Sequence, residues 1–476
     1  MITEPAPDPK RWVTLVVLLL AMAIIVLDNT VLTVAVPTIL RDFHTTLSSL
    51  QWVLSGYSLV FATLLIIGGR LGDLYGARRM FIVGAATFGV GSFIASISHS
   101  VPQMVVGEAI IEGIGASLLM PATVGILSNT FRGPERTMAF ATWGTAIGAA
   151  AAFGPVVGGY LTTYHSWRWA FRINVIVAPL AVLAALVFMR RDPAVGRARL
   201  DLPGACLVAV GTFSLVFAFS QAPTYGWWQP LGGRSITPIP ILLVGGLAVL
   251  GIFLWYERRR EAAKGDALFA PSQLRHLAFR YGLGASGTLS FGQFGFMFAV
   301  PIFLQRTRHL DAVGAGLWLL PFGVGILVGA QVAGRMAQLV GSVRVVRVGI
   351  AVEAAGLFVV AVILTDAVTF TQLLLSTSVF GIGVGLANSQ LTNVILADVD
   401  PDKVGVAGGA NSTVRQVSSA LGIAIVGAVL STSSARWALV VSGAVVAAGV
   451  AMAMLIPHGK DDEVIELYAP LEAETV

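Results

Sequence analysis

Fourteen long apolar segments constrain this chain more than any other feature. Each covers roughly 20 residues, the length of a helix that crosses a bilayer, and clusters of charged or turn-forming residues separate them. Because lipid offers no hydrogen-bond partners to the backbone, such segments must form helices. They begin near Trp12, Ser48, Arg79, Pro102, Met138, Trp169, Leu200, Ile236, Tyr281, Ala312, Val345, Phe370, Val404 and Ala435.

Composition excludes a large soluble domain. Hydrophobic residues make up 56% of the 476-residue chain and charged residues only 12%, with a mean hydropathy of +0.82. Ordinary soluble proteins lie far from these values. The sequence therefore predicts an all-α polytopic membrane protein.

Basic residues indicate the orientation of the helices. With the N-terminus inside, 22 Lys and Arg fall on the cytoplasmic side and seven outside, while Arg415 lies within a helix. This bias follows the positive-inside rule and places both termini in the cytoplasm. The net charge of +5 is thus a signal of topology, and nucleic acid is not an expected partner. We expect the first apolar segment to be a retained helix of a multi-pass inner-membrane protein, not a cleaved signal peptide.

Two internal echoes divide the chain into similar halves. "GRLGDLYGARR" from Gly69 resembles "GRMAQLVGSVR" from Gly334, and "GIGASLL" from Gly113 resembles "GIGVGLA" from Gly381, at offsets of 265 and 268. Duplicated halves of six helices account for twelve segments. The predicted units are a cytoplasmic tail (1–11), an N-terminal six-helix bundle (12–191), linkers with an inserted two-helix hairpin (192–265), a C-terminal six-helix bundle (266–457) and an acidic cytoplasmic tail (458–476).

The first copy of the repeated loop contains one charge that the second copy lacks. Asp73 is placed where it could cap a helix or pair with Arg79 or a neighbouring helix end, and Gln338 takes its place in the second copy. Gly69 and Gly76 are predicted to allow a tight cytoplasmic turn, and turn glycines with positive-inside arginines would be a simpler explanation of the loop. The duplicated spacing favours a conformational latch, made of Gly69, Arg70, Asp73, Gly76, Arg78 and Arg79.

Four motifs in order carry a resemblance to a known family. "LDNTVLTVAVP" from Leu27, the Gly69 loop, "WGTAIGAAAAFGPVVGG" from Trp143 and "WRWAFRIN" from Trp167 resemble the major facilitator superfamily. With fourteen helices, the chain is similar to its drug/proton antiporter branch. The resemblance implies a major facilitator fold with two pseudo-symmetric six-helix bundles, alternating access around a midplane cavity, and proton-coupled export.

Three acidic residues are predicted to overlap in depth within the membrane, and the resemblance, which implies that the first and fourth helices line the cavity, would bring them near one another. At about 1.5 Å per residue, Asp28 lies roughly 24 Å from the cytoplasmic end of the first helix, while Glu108 and Glu112 lie roughly 9 and 15 Å from the outer side. The two glutamates are four residues apart, so both project from one helix face, where two ionised carboxylates would repel. At least one is expected to hold a proton, and the three are candidates for proton coupling. A packing hydrogen bond to a neighbouring backbone group or hydroxyl is the alternative for Asp28, and Glu108 could instead face water at the cavity mouth.

Position 109 departs from the family pattern. Members usually have an arginine four residues before the "GIG" glycine, and this chain has Ala109. The acids therefore lack their customary cationic partner, and they could instead attract a cationic substrate. Glu353 is a further candidate for proton coupling, with a buried hydrogen bond as the alternative. Arg415 needs a carboxylate, carbonyl groups or water around it.

The remaining candidates concern the predicted fifth helix and the cavity wall. Small residues and a proline permit close packing and a bend, and in this order they resemble the antiporter motif of the superfamily. Its candidate residues are Gly154, Pro155, Gly158 and Gly159. Aromatic and amide side chains on helices expected to line the cavity would suit a flat or cationic substrate. These are Trp52, Tyr57, Trp143, Gln293, Phe294 and Asn388.

The predicted function is antiport of protons against amphipathic, aromatic or cationic drugs. A dedicated exporter of one metabolite or antibiotic, a lipid transporter, an uncoupled sensor and an uptake symporter remain alternatives. No P-loop pattern, histidine cluster or cysteine pair indicates an enzyme, an ATP-driven pump or a metal site. We therefore expect no cofactor other than the proton as coupling ion, and a monomer whose partners are membrane lipids and drug-like molecules.

Overall fold

The computed structural model describes residues 9–45, 47–190, 200–230, 236–263, 267–310, 312–400 and 403–457. Residues 1–8 of the predicted N-terminal tail, the whole acidic tail 458–476 and parts of the predicted linkers lie outside these ranges. Within them the chain forms fourteen long helices. These are α1 (Arg11–Asp42), α2 (Leu47–Tyr75), α3 (Ala77–Ser96), α4 (Val101–Thr130), α5 (Gly133–Tyr164), α6 (Arg168–Phe188), α7 (Leu202–Tyr225), α8 (Ile239–Ala262), α9 (Leu277–Thr307), α10 (Ala312–Val340), α11 (Ser342–Ile363), α12 (Phe370–Ile395), α13 (Val404–Thr432) and α14 (Ala435–Met454).

The predicted helices are confirmed, with small shifts at their starts. Four begin at the predicted residue, and the largest difference is at α5, which begins at Gly133 and not at Met138. Its first turn is polar and carries a proline, which is tolerated where the amide is unpaired anyway. Thirteen of the helices hold a stretch long and apolar enough to cross a membrane, and α5, at 32 residues, is the other one in the described ranges.

The two sets of six helices pack in the same order. In the first set α1 packs on α5, α3 on α6, and α2 and α3 on α4; in the second set α9 packs on α13, α11 on α14, and α10 and α11 on α12. The sets meet through α5 against α10 and α2 against α13. Helices α7 and α8 pack together, and α7 contacts both α2 and α13. The hairpin thus lies against the junction of the halves.

Arginines hold equivalent helix ends in the two halves. Arg78 of α3 donates hydrogen bonds to the carbonyls of Ala185 and Leu186, at the end of α6. Arg347 of α11 does the same for Ala453 and, beyond the last turn, Ile456. A guanidinium satisfies carbonyls that a helix end leaves unpaired and complements its dipole. An arginine thus caps a helix C-terminus in both halves. Arg347 lies about one turn later than Val343, the position that the repeat matches to Arg78.

Candidate functional site

Three carboxyl groups meet inside the N-terminal half. Asp28 extends from α1, and Glu108 and Glu112 extend from α4; one oxygen of each lies within 4.8 Å of the others. The three residues are 2%, 1% and 0% exposed. The structure therefore brings together the three acids whose depths along two separate helices overlap and whose helices, by the resemblance, line the cavity.

The segment of α4 that carries both glutamates is a π-helix. It runs from Val105 to Glu112, between α-helical residues Val101–Met104 and Gly113–Thr130. A π-helix bonds each amide to the carbonyl five residues back, so its turns are wider than α-turns. Such turns are rare and are frequently found at functional sites. Glu108 and Glu112 still share a face. The regular α-helix that we predicted here is wrong in this detail.

Neutral side chains surround the carboxyl groups. The amide nitrogen of Asn174, in α6, donates to Oδ1 of Asp28 at 2.7 Å, and Asn174 is itself buried. The buried Tyr57 of α2 lies within the electrostatic reach of all three acids, and the Ser92 hydroxyl of α3 faces Glu112. The Tyr57 hydroxyl has no hydrogen-bond partner among the described residues.

Charge repulsion limits how many of these groups can be ionised together. At 4.8 Å and an effective dielectric constant of about 20, two unit charges repel by about 3.5 kcal/mol. No salt bridge to Asp28, Glu108 or Glu112 occurs among the described residues. Protons must therefore supply most of the neutralisation. The same protons allow the carboxyl groups to hydrogen-bond to one another, since an ionised carboxylate only accepts.

Helix packing accounts for Ala109. This residue is buried where α2 passes α4, and a Cβ added to Gly56 would lie only 2.9 Å from the Cβ of Ala109. An arginine at position 109 would have to separate the two helices. The close contact between α2 and α4 thus leaves no space for an arginine at position 109.

Asp73 joins the two halves of the protein. Its carboxylate oxygens accept hydrogen bonds from the backbone amides of Gly405 and Val406, at 2.9 and 3.0 Å. Both amides belong to the first turn of α13, where unpaired N–H groups and the helix dipole attract an anion. The alternative of capping a helix is therefore the one adopted, across the interface of the halves. Gln338, the matching residue of the second half, is exposed.

The prediction that Gly69 belongs to a tight turn is wrong. Gly69 and Arg70 lie inside α2, and only Gly76, with φ of +98°, breaks the chain between α2 and α3. A Cβ on Gly69 would instead clash with the backbone carbonyl of Gly405. Gly69 is small because α13 crosses α2 there. Arg79 is exposed beyond the turn.

Glu353 and Arg415 belong to the other half. Glu353 of α11 is fully buried, next to Gly292 of α9, and neither of its oxygens has a hydrogen-bond partner in the described ranges. The predicted buried hydrogen bond is therefore wrong. Arg415 of α13 lies within electrostatic range of Glu353, and no salt bridge joins the two among the described residues. Glu353 does not join the cluster of Asp28, Glu108 and Glu112.

The predicted cavity residues separate into two groups. The amide of Asn388 on α12 donates to Gln293 on α9 at 3.3 Å, and Trp143 of α5 is buried with its indole N–H unpartnered among the described residues. Trp52, by contrast, is 45% exposed and packs on Phe217 of the hairpin, and Phe294 is 37% exposed. Tyr57 alone of the six lies beside the carboxyl cluster.

The small residues of α5 serve its contact with α1. Gly158 is buried, and a Cβ there would lie 2.8 Å from the Cα of Val31. Gly154 is also buried, and residues 154–159, with Pro155 and Gly159, lie within the helix. The close approach of α1 and α5 helps to place Asp28.

Asn174 is the site residue that sequence reasoning missed. It ends the quoted "WRWAFRIN" motif, and an amide within an otherwise apolar helix was the available signal. Nothing in the sequence connects it to Asp28, 146 positions earlier.

Comparisons with known proteins agree with this architecture. The family model for the Major Facilitator Superfamily matches residues 18–257, 230–422 and 282–466. The puromycin resistance protein of Streptomyces alboniger is 34% identical, over 90% of this chain and 84% of that protein. The probable actinorhodin transporter of Streptomyces coelicolor is 32% identical, over 89% and 73%. The human organic anion transporter MFSD10 has a similar fold, with a TM-score of 0.66, 15% identity and coverage of 94% of this chain and 100% of that one.

Proposed function

Because this chain belongs to the major facilitator superfamily, among its drug-efflux members, we propose that it exports amphipathic drug-like compounds in exchange for protons. The transported compounds would be aromatic or cationic molecules of the size of antibiotics. We place the protein in the cell (inner) membrane with both termini in the cytoplasm, following the distribution of basic residues. The proposed unit is a monomer with no cofactor.

The buried cluster of Asp28, Glu108 and Glu112 is the observation that supports proton coupling. Carboxyl groups that cannot all be ionised hold protons, and the charge of an arriving cation would favour their release. Asn174 orients Asp28, and Tyr57 offers an aromatic ring and a hydroxyl at the same place. Competition between substrate and proton for one cluster would couple their movements in opposite directions.

The contact of Asp73 with α13 supports alternating access between the halves. In the proposed orientation this contact closes the cytoplasmic end, where Arg136 of α5 also donates to the carbonyl of Leu396 at the end of α12. Opening that end requires both contacts to separate. Protons would enter the cluster from outside, and their release inside would accompany reloading with substrate.

Export of a single antibiotic is the second candidate. The relatives are named for puromycin and actinorhodin respectively, which supports a narrow specificity in proteins of this sequence type. Such a protein would share the carboxyl cluster and the latch and would differ in the range of compounds that it accepts. A lipid transporter or an uncoupled sensor would lack proton movement evoked by substrate.

Everted membrane vesicles energised by respiration test the proposal. We expect the wild type to accumulate rhodamine 123, a lipophilic cation, and to release lumenal protons when the dye is added. Asp28→Asn and Glu112→Gln should abolish both signals while reaching the membrane normally. Glu261→Gln, a cytoplasmic-side carboxylate outside the cluster, serves as control. Wild-type protein that moves dye without protons would contradict antiport, and accumulation of one compound from a panel of antibiotics would favour the second candidate.

A further inference from the structure

Arg415 is a basic residue within a membrane-spanning helix, and it has no role in the proton exchange proposed for the cluster of Asp28, Glu108 and Glu112. It is the twelfth residue of α13, about 17 Å from the start of that helix at ~1.5 Å per residue. A charge at this depth is costly and needs a compensating group. Its side chain is partly accessible.

The neighbours of Arg415 along α13 show that it faces the junction of the halves. Gly408, seven residues earlier, abuts Val124 of α4 in the other half. Asn411, four residues earlier, donates to Thr392 of α12 at 3.4 Å. Residues spaced by four and seven share a helix face. Arg415 therefore points between α4 and α12, away from the lipid.

No side chain in the described ranges neutralises Arg415 by direct contact. It has no salt bridge and no hydrogen bond there, although a guanidinium has five N–H donors. Glu353 of α11 is the acidic side chain within its electrostatic range. The two helices lie on either side of α9: Gly287 of α9 abuts Val414, and Gly292 of α9 abuts Glu353. Arg415 thus has no acidic side chain in direct contact among the described residues, and its N–H donors are open.

We propose that Arg415 binds a carboxylate of the transported compound, with Glu353 as its counter-charge when the site is empty. A guanidinium fork matches a carboxylate in two-point geometry. This inference rests on the proposed export function and refines its substrate class. The preferred compounds are amphoteric: a cationic group meets the acids of α1 and α4, and a carboxylate meets Arg415 of α13.

Two dyes that differ only in a carboxylate test this assignment. Rhodamine 110 has a free carboxylate, and rhodamine 123 is its methyl ester. Binding to the purified full-length protein is measured by fluorescence anisotropy in detergent, without any gradient. We expect the wild type to bind rhodamine 110 about tenfold more tightly than rhodamine 123. Equal affinities, or binding of neither dye, would overturn the proposal.

Variants at both positions separate recognition from structural pairing. Arg415→Gln should bring rhodamine 110 down to the affinity of rhodamine 123, and Arg415→Lys should retain part of the preference. Glu353→Gln removes the competing charge and should strengthen rhodamine 110 binding several-fold. The double variant Glu353→Gln/Arg415→Gln leaves no uncompensated charge, so it keeps the test valid if Arg415→Gln alone misfolds, and it too should lose the preference. Equal weakening of both dyes in every variant would show a purely structural pair and contradict the proposal.

Failure of this inference is distinguishable from failure of the export function. Rhodamine 123 uptake into everted vesicles tests export and does not require the carboxylate. Arg415-dependent selectivity with no proton-coupled uptake would leave the binding site in place and remove antiport. Uptake of rhodamine 123 without a preference for rhodamine 110 would do the reverse.

Discussion

Asp73 of α2 accepts a hydrogen bond from the backbone amide of Gly405 in α13, at 2.9 Å, and so joins the two halves of the protein. The neighbouring amide of Val406 binds the second oxygen. The contact is charge-assisted, because the carboxylate faces the positive end of a helix dipole. It can break without disturbing the interior of either half, as a latch requires.

Asp73→Asn should weaken this latch. The amide keeps one acceptor but loses the charge and the second acceptor, and hydrogen bonds to charged groups contribute about 1.5–3 kcal/mol. We expect the closed population at this end to fall about tenfold and transport to slow. Spin labels at Tyr75 and Leu339, introduced in a Cys206→Ser background, report the separation of the halves. Gln338→Asn is the matched control, and identical distance distributions for Asp73→Asn and wild type would contradict the latch.

Gly69→Ala should block closure of the same end. Its methyl group would clash with the carbonyl of Gly405, whereas a Cβ on Gly72, one turn later in α2, meets nothing within 4 Å. The clash should keep α2 and α13 apart and reduce rhodamine 123 transport more than tenfold. Gly72→Ala should transport like wild type. Equal activity of the two variants would show that the halves do not come this close in the working cycle.

Asn174→Leu should uncouple α6 from the carboxyl cluster. It removes the donor to Asp28 and leaves a buried acceptor unpaired, a loss of about 1–3 kcal/mol. In a double-mutant cycle with Asp28→Leu, measured by thermal unfolding in detergent, the two changes should be non-additive by a comparable amount. Additive effects would mean that the Asn174 contact contributes nothing to stability.

Ala109→Arg should not restore the family's usual site. The contact with Gly56 leaves no space for the longer side chain, and overpacking of this kind costs about 1–3 kcal/mol or more. We expect a reduced yield of monodisperse protein, with Ala109→Ser close to wild type. A stable, fully active Ala109→Arg protein would show that α2 and α4 can separate and that the acids tolerate a cation.

Sequence reasoning reached the features that depend on periodicity and length. The apolar segments indicated the helices, and a rise of about 1.5 Å per residue brought Asp28 near the depth of Glu108. Capping of a helix was one of the partners that local chemistry left open to Asp73, because a carboxylate accepts from the free amides of a helix N-terminus.

The features that could not be predicted from the sequence depend on contacts between distant segments. Glycine is common in turns, so the sequence suggested a turn at Gly69. Only the crossing of α13 explains why residue 69 must be small. The π-helix around Glu108 has no signature in an apolar stretch where every turn looks alike. Asn174 lacked any visible partner.

Proton release upon substrate binding shows whether the three carboxyl groups exchange protons for substrate. Rhodamine 123 is added at saturating concentration to purified protein in weakly buffered detergent with a pH indicator. We expect the wild type and Glu353→Gln to release protons in proportion to bound dye. The variant Asp28→Asn/Glu108→Gln/Glu112→Gln should release none. If this variant binds the dye and releases as many protons as the wild type, the three carboxyl groups are not the site where substrate and proton exchange.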